Sequence, residues 1–279
     1  VFPAGERGNV NKGYLHVKHL FGFIGRRTIM FFRHLTSIAC ITGEAFYWIV
    51  VGPFRKKPVK RFHLVSQMVE AGVNSLMIVM VISFFVGLTM AMLLAYQLRK
   101  FGSESLIADF TAIAFTRELG PLMTAIIVAG RVGASFTAEL GTMRVSEEIM
   151  ALETMAINPV RFLISPRLLA MIIMVPCLVI FSDAVGMLGG FVIGKMNLGV
   201  EASYYIQKSL MALQLKDIVT GLVKSFFFAI IIAVVGCYYG FIVEGGAEGV
   251  GRFTTISVVN SLISVVAADC FFTAVFYMV

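Results

Sequence analysis

The run from Val73 to Leu98 contains no charged side chain; the next charges are Arg99 and Lys100. A helix needs ~20 apolar residues to cross the ~30 Å hydrocarbon core of a bilayer, so this run predicts a membrane span. Comparable runs recur at about 168–194, 217–243 and 253–277, and a further one ends near Gly141. The chain is 58% hydrophobic and 14% charged. A soluble domain carries ~25% charged residues, so most of this surface is expected to face lipid. The fold class expected is an all-α integral membrane protein: an N-terminal interfacial or elbow helix, then five transmembrane helices, with a short cytoplasmic helix between spans two and three. A basic arm and interfacial helix (1–62) should precede one membrane domain (63–279), and 279 residues leave no room for a large soluble domain.

The start of span two is open on sequence alone. Gly120-Pro121 suits a helix start, because proline is tolerated at the first helical position; Arg131 would then lie at mid-membrane. Alternatively the helix begins near Leu106, Pro121 only kinks it, and Arg117 and Glu118 are the buried charges. Residues 14–52 mix aromatic and aliphatic residues with Arg26, Arg27 and Arg33, as in a helix lying on a membrane surface. The part 35–52, broken only by Glu44, reads as an elbow helix or a further span. PFRKKPVKRFH (53–63) then marks a cytoplasmic loop. Residues 195–216 predict an outer loop with an amphipathic stretch, and the Gly-rich EGGAEGVGR (244–252) a weakly helical turn.

Net charge is +7, and eleven of the 23 Lys and Arg lie in the first 62 residues. This places the N-terminus on the cytoplasmic side, near anionic headgroups. Nucleic acid is not expected as a partner, because aromatic and aliphatic residues interrupt the basic run. With five spans, sixteen Lys and Arg fall inside and seven outside, chiefly through the N-terminal arm. A cleavable signal peptide is not expected: the first residues are polar, and no A-x-A site follows a short apolar core. Cys40, Cys177, Cys237 and Cys270 are widely spaced in apolar runs and read as small buried hydrophobes. His16, His19, His34 and His63 make no metal spacing.

No catalytic constellation emerges. There is no G-x-x-x-x-G-K-[ST], so ATP chemistry by a P-loop is not expected; Lys224-Ser225 lacks the preceding glycines. No nucleophile–base pair is visible. Three other features carry more. EEIMALETMAINP (147–159) reads as a short amphipathic helix at about 145–157. Val145, Ile149, Leu152 and Ala156 share one face, Ser146 is its expected N-cap, Glu147 and Glu148 sit in its first turn, and Asn158-Pro159 stops it. At ~11 residues it is marginal alone and needs a surface to dock on, either its own membrane domain or a partner protein. Charges at Arg117, Glu118, Arg131, Glu139, Asp183 and Asp269 fall in or beside spans, where each needs a cavity or a partner. Neighbouring residues on a helix do not face each other, so Arg117 and Glu118 require partners elsewhere, including across a dimer. Finally, Gly186, Gly190 and Gly194, and Gly236 and Gly240, repeat every four residues, which allows close helix packing.

The segments RELGPLMTAIIVAGRVGASFTAELGTMRVSEEIMALETMAINPVRFLISPR (117–167) and DIVTGLVKSFFFAIIIAVVGCYYGFIVEGGAEGVGRFTTISVVNS (217–261) resemble the MlaE/YrbE-type permeases. These are membrane subunits of ABC transporters that move phospholipid between bacterial membranes. The resemblance covers roughly residues 60–279. It implies that 145–157 is a coupling helix seated in a groove of a separate ATPase subunit (MlaF-like), with Glu147, Glu148, Ile149, Leu152, Glu153 and Met155 as contacts. ATP and Mg would be bound by that partner, and no cofactor by this chain. It further implies a homodimer with a phospholipid cavity lined by Arg117 and Glu118, and a basic residue, Arg252, at the inner end of span five. Further partners would be a ring of MCE-domain protein (MlaD-like) and a STAS-domain protein (MlaB-like), with the chain in the bacterial inner membrane. On its residues alone, Arg117 suits either a lipid phosphate or Glu118 of the other subunit. A stand-alone secondary transporter using Glu118, Asp183 or Asp269 as proton carriers is the alternative, and an intramembrane enzyme acting on lipid a third reading. Neither inverted repeats nor a nucleophile favour those two.

Overall fold

The computed structural model describes residues 36–52, 61–100, 102, 106–198 and 201–278. The expected basic arm therefore lies largely outside the described residues. A compact unit runs from Glu44 to Val279 and contains every span. Among the described residues there is no strand.

Among the described residues, eight helices follow one another. α1 is Thr36–Val51. Five are long and apolar enough to cross a membrane: α2 (Arg61–Lys100), α3 (Ile107–Val145), α5 (Val160–Met196), α7 (Leu215–Phe241) and α8 (Gly246–Phe276). Between α3 and α5 stands α4, Glu148–Thr154. Between α5 and α7 stands α6, Ala202–Ala212. Five passes put α4 at one end of the bundle and α6 at the other.

The spans are longer than their apolar runs. α2 begins at Arg61 rather than Val73, and at 40 residues it reaches about 60 Å, well beyond the hydrocarbon. Its added first turns, RFHLVSQM, join the span through a π turn at Val69–Val73. α5 likewise starts at Val160 through a π turn, Val160–Ile164. The start of span two is settled in favour of the early one. α3 runs unbroken past Pro121, because the π turn Phe115–Leu119 precedes it and the Gly120 N–H still bonds the Phe115 carbonyl. A wider turn absorbs the missing proline donor without breaking the helix. The Gly-rich segment 244–252 corrects expectation in the other direction. The turn is short, with Gly245 at φ 91° and Gly246 at φ 68°, and α8 starts at Gly246. Packing around Gly141, Val243 and Val250 holds this end as a helix despite its composition.

α7 is the axis of the fold, with 56% of its most apolar window buried against 11% for α8, so α8 keeps a lipid-facing wall. α2 and α5 lie backbone to backbone: a Cβ at Gly87 would stand 2.0 Å from the Gly186 carbonyl oxygen. Ser83 and Ser182 hydrogen-bond across the same seam at 2.7 Å. α3, α7 and α8 meet where the Thr137 hydroxyl lies 2.9 Å from the Gly236 carbonyl and 2.8 Å from Ser257. α6 is amphipathic as expected, burying Tyr205 against Ile107, Ala108 and Phe191.

Gly87→Val should be destabilising by about 1–3 kcal/mol, since its Cβ meets the Gly186 backbone and the α2–α5 backbones must separate. Thermal unfolding in detergent micelles should show a lowered Tm; an unchanged Tm would mean that the seam is loose.

Candidate functional site

The polar groups within the spans form two clusters at different depths. The first is built on α3, α7 and α8. Its centre is Lys224, a lysine ten residues into the apolar α7 and 0% exposed. Its Nζ donates to Glu118 Oε2 at 2.5 Å, Asp269 Oδ1 at 2.9 Å and Thr273 Oγ1 at 2.7 Å. The Thr273 hydroxyl lies 3.1 Å from Glu118 Oε1, closing a ring of Lys224, Glu118 and Thr273 to which Asp269 is joined through Lys224. An ammonium stripped of water needs such a shell, since an unpaired charge there costs several kcal/mol.

Two turns nearer the start of α7, Arg117 pairs with Asp217. Asp217 also accepts from the Gln214 backbone N–H at 2.9 Å, in a reciprocal cap of α7. Arg117 and Glu118 are adjacent in sequence, yet they reach Asp217 and Lys224, two turns apart on one face of α7. The π turn that holds both residues, Phe115–Leu119, lets them diverge. The expectation that both need partners elsewhere is met within this chain. Leu119, the residue after Glu118, lines an apolar groove of about 390 Å³ with Phe85, Val86, Met90 and Leu93 of α2.

The second cluster lies nearer the α4 end. Arg167, nearly buried, donates to Glu139 Oε2 at 2.7 Å. The Ser135 hydroxyl lies 3.1 Å from Glu70 Oε1 and 3.0 Å from Glu139 Oε1. Arg131 donates to Ser75 Oγ at 2.5 Å and to the Glu70 carbonyl at 3.4 Å. Asp183 joins neither cluster: its Oδ1 packs against Gly120 without a hydrogen-bond partner among the described residues. Arg252 is exposed in the first turns of α8, at the α4 end.

α4 is shorter than expected, seven residues from Glu148 to Thr154. Ser146 is not its N-cap; it closes α3, its hydroxyl bonding the Thr142 carbonyl and Glu148 Oε1. Glu147 instead turns the chain, at φ 62°, and Ala156 turns it again at φ 56°. Those two left-handed residues bracket the helix, so Val145 and Ala156 do not share its buried face. Ile149 is 1% exposed and pins α4 to its own chain. Glu147, Glu148, Glu153 and Met155 are exposed, and Leu152 half-exposed. A groove of about 270 Å³ beside α4 is lined by Met143, Leu152, Met155, Phe162 and Leu163. Asn158 does more than stop the helix. Its Oδ1 caps the next one through Arg161 N at 3.1 Å, and its Nδ2 donates to Glu44 at 2.7 Å. Arg161 in turn lies over the Trp48 ring at 5.3 Å. The second half of α1 is thus held at the α4 end of α5, as an elbow helix would be.

Lys224 and Asp217 are the residues that sequence reasoning misses. A lysine inside GLVKSFFFAIII was a visible signal of a buried charge with a purpose. The spacing Gln214-Leu-Lys-Asp217 carried a weak capping signature. Among the described residues, no group of three His, Cys, Asp or Glu is placed to hold a metal.

Five apolar spans packed around internally paired charges define a multi-pass helical membrane protein. The MlaE permease family model matches residues 64–275. A probable ABC transporter permease of Rickettsia typhi is 35% identical over 261 residues, covering 94% of this chain and 99% of the relative. One from Synechocystis is 35% identical over 242 residues, 87% of this chain and 90% of the relative. An Arabidopsis thaliana chloroplast protein named Trigalactosyldiacylglycerol 1 is 33% identical over 241 residues, 86% of this chain and 67% of the relative. The chain belongs to the MlaE permease family of ABC transporters. Such a permease works with an ATPase subunit.

Lys224→Met should destabilise the fold by about 3–5 kcal/mol, because it leaves Glu118 and Asp269 facing each other without a cation. Adding Glu118→Gln and Asp269→Asn to it should restore much of the loss. Thermal unfolding of the single and triple variants checks this; equal losses in both would show that Lys224 acts through packing alone.

Proposed function

We propose that this chain is the membrane subunit of an ABC transporter that moves phospholipid, with ATP and Mg bound on a separate ATPase subunit (MlaF-like). The observation that carries the reading is the pairing of a polar site with an apolar one. The Arg117–Asp217 and Glu118–Lys224–Asp269 pairs stand beside the groove of Phe85, Met90 and Leu119. A phospholipid needs both: charge for its headgroup and an apolar wall for its chains. Methionines suit the wall because they adapt to chains of varied shape. Arg117, 26% exposed, is the group that can exchange part of its pairing with Asp217 for a lipid phosphate. Lys224, fully buried, positions Glu118 rather than meeting lipid itself.

In this reading a second copy of the chain covers the apolar faces of the outer helices and closes the cavity. The α4 end is cytoplasmic, with the N-terminus, and the chain sits in a bacterial inner membrane. α4 then serves as the coupling helix. Ile149 roots it, and Leu152, Met155, Glu148 and Glu153 meet the ATPase. Movement of the ATPase would reach the spans through Asn158 and the π turn Val160–Ile164 at the base of α5. An MCE-domain ring (MlaD-like) and a STAS-domain protein (MlaB-like) complete the proposed assembly. The lipid name carried by the Arabidopsis relative supports the cargo class. The secondary-transporter alternative loses ground, since Glu118 and Asp269 are both salt-bridged to Lys224 and thus poorly suited to exchange protons.

Leu152→Arg should release the ATPase in a detergent pull-down while the permease keeps its elution volume and Tm. A charge in a packed interface groove costs several kcal/mol, enough for a loss of roughly a hundredfold or more in affinity. Retention of a fully active ATPase would mean that α4 is a lid and that docking lies elsewhere.

A further inference from the structure

The cluster at the α4 end contains two opposite charges that share a cavity and do not pair. Arg131 donates to the Ser75 hydroxyl and to a backbone carbonyl, the latter belonging to Glu70. The Glu70 carboxylate accepts from the Ser135 hydroxyl at 3.1 Å and stands beside the Glu139 carboxylate, which shares that hydroxyl. The nearby Arg167 is committed to Glu139. Among the described residues, neither Arg131 nor Glu70 has a salt-bridge partner. Both line a cavity of about 520 Å³ together with Asn74 and Ser66, with Phe62, Val65 and Val69 as its apolar wall. Those three wall residues are 83%, 57% and 44% exposed, so the cavity opens sideways toward lipid.

Unpaired charge at membrane depth is costly, and the cost is relieved by a ligand that brings both opposite charges. A phosphodiester would satisfy the guanidinium. A primary ammonium a few atoms along would satisfy the carboxylate. Acyl chains would leave past Val65 and Val69 into the bilayer. An anionic headgroup without an amine meets Arg131 but is repelled by Glu70, and a neutral diacylglycerol meets neither.

We infer that Arg131 and Glu70 form a second lipid site, separate from the Glu118–Lys224 cluster, that selects a zwitterionic, amine-bearing phospholipid. The inference rests on the reading of the chain as a lipid permease and adds a headgroup class and a second location. The site stands on the first π turn of α2 and the second of α3. A lipid bridging them would therefore lie between two spans near the coupling end.

The test is native mass spectrometry of the full chain, delipidated in detergent and given phosphatidylethanolamine, phosphatidylglycerol or diacylglycerol of one acyl composition. The wild type should retain phosphatidylethanolamine over phosphatidylglycerol by about tenfold, the scale of one charge-assisted hydrogen bond. Glu70→Gln should erase that preference, and Arg131→Gln should weaken both phospholipids by about tenfold. Val69→Trp fills the cavity without touching either charge, and should lower retention of both with an unchanged Tm, which separates loss of the site from loss of the fold. Wild-type retention in Glu70→Gln and Arg131→Gln overturns the inference. Loss confined to Glu118→Gln, with these variants normal, overturns it while leaving the permease reading intact. Absence of phospholipid retention in every variant and in the wild type overturns both.

Discussion

A fully buried ammonium in the middle of a bundle fixes where its neighbours must go. Lys224 lies on the helix that packs against α3, α5 and α8. It can stay charged only if α3 brings Glu118 and α8 brings Asp269 and Thr273 to the same point. Lipid gives apolar side chains no reason to prefer protein over acyl chains, so packing in a membrane depends on close fit and polar bonds. The Lys224 ring supplies the polar bond among α3, α7 and α8, and the Gly87–Gly186 seam supplies the close fit between α2 and α5. With those two features in place, the polar face of α3 has only one direction in which to point.

The π turns make that arrangement possible. Among the described residues four interrupt the spans, and each contains a charged residue: Glu70, the Arg117–Glu118 pair, Arg131 and Arg161. A π turn widens the helix locally and re-aims side chains, and such turns concentrate at functional positions. At Phe115–Leu119 it sends two neighbouring charges to residues two turns apart and carries the chain past Pro121. At Val160–Ile164 it lies where the chain passes from α4 into α5. The same local device thus serves ion pairing, the proposed lipid contacts and the connection from α4 into the bundle.

The number of spans was legible because hydropathy over twenty residues is a strong signal. So were the existence of α4, the amphipathic α6 and the close helix packing at the repeated glycines. Their limits were not. α2 and α5 extend past their apolar runs because amphipathic turns continue the helix, and the glycines of 244–252 become helical because Gly141, Val243 and Val250 pack there. The face of α4 was misjudged at its ends, since positive φ at Glu147 and Ala156 breaks a periodicity that looked continuous. Ion pairing was the least legible feature. Arg117 could be recognised as a buried charge, but its partner lies a hundred residues away. Lys224 was visible as a lysine in an apolar run, yet its meaning depends on two other helices.

The central claim is that this polar and apolar interior carries phospholipid under the control of a separate ATPase. Its most direct test is transfer of labelled phosphatidylethanolamine by the chain and its ATPase reconstituted together in proteoliposomes. Transfer should require ATP hydrolysis, stop when the ATPase is omitted, and ignore an imposed proton gradient. Transfer that continues without the ATPase and follows the proton gradient would contradict the account and make the chain a secondary transporter.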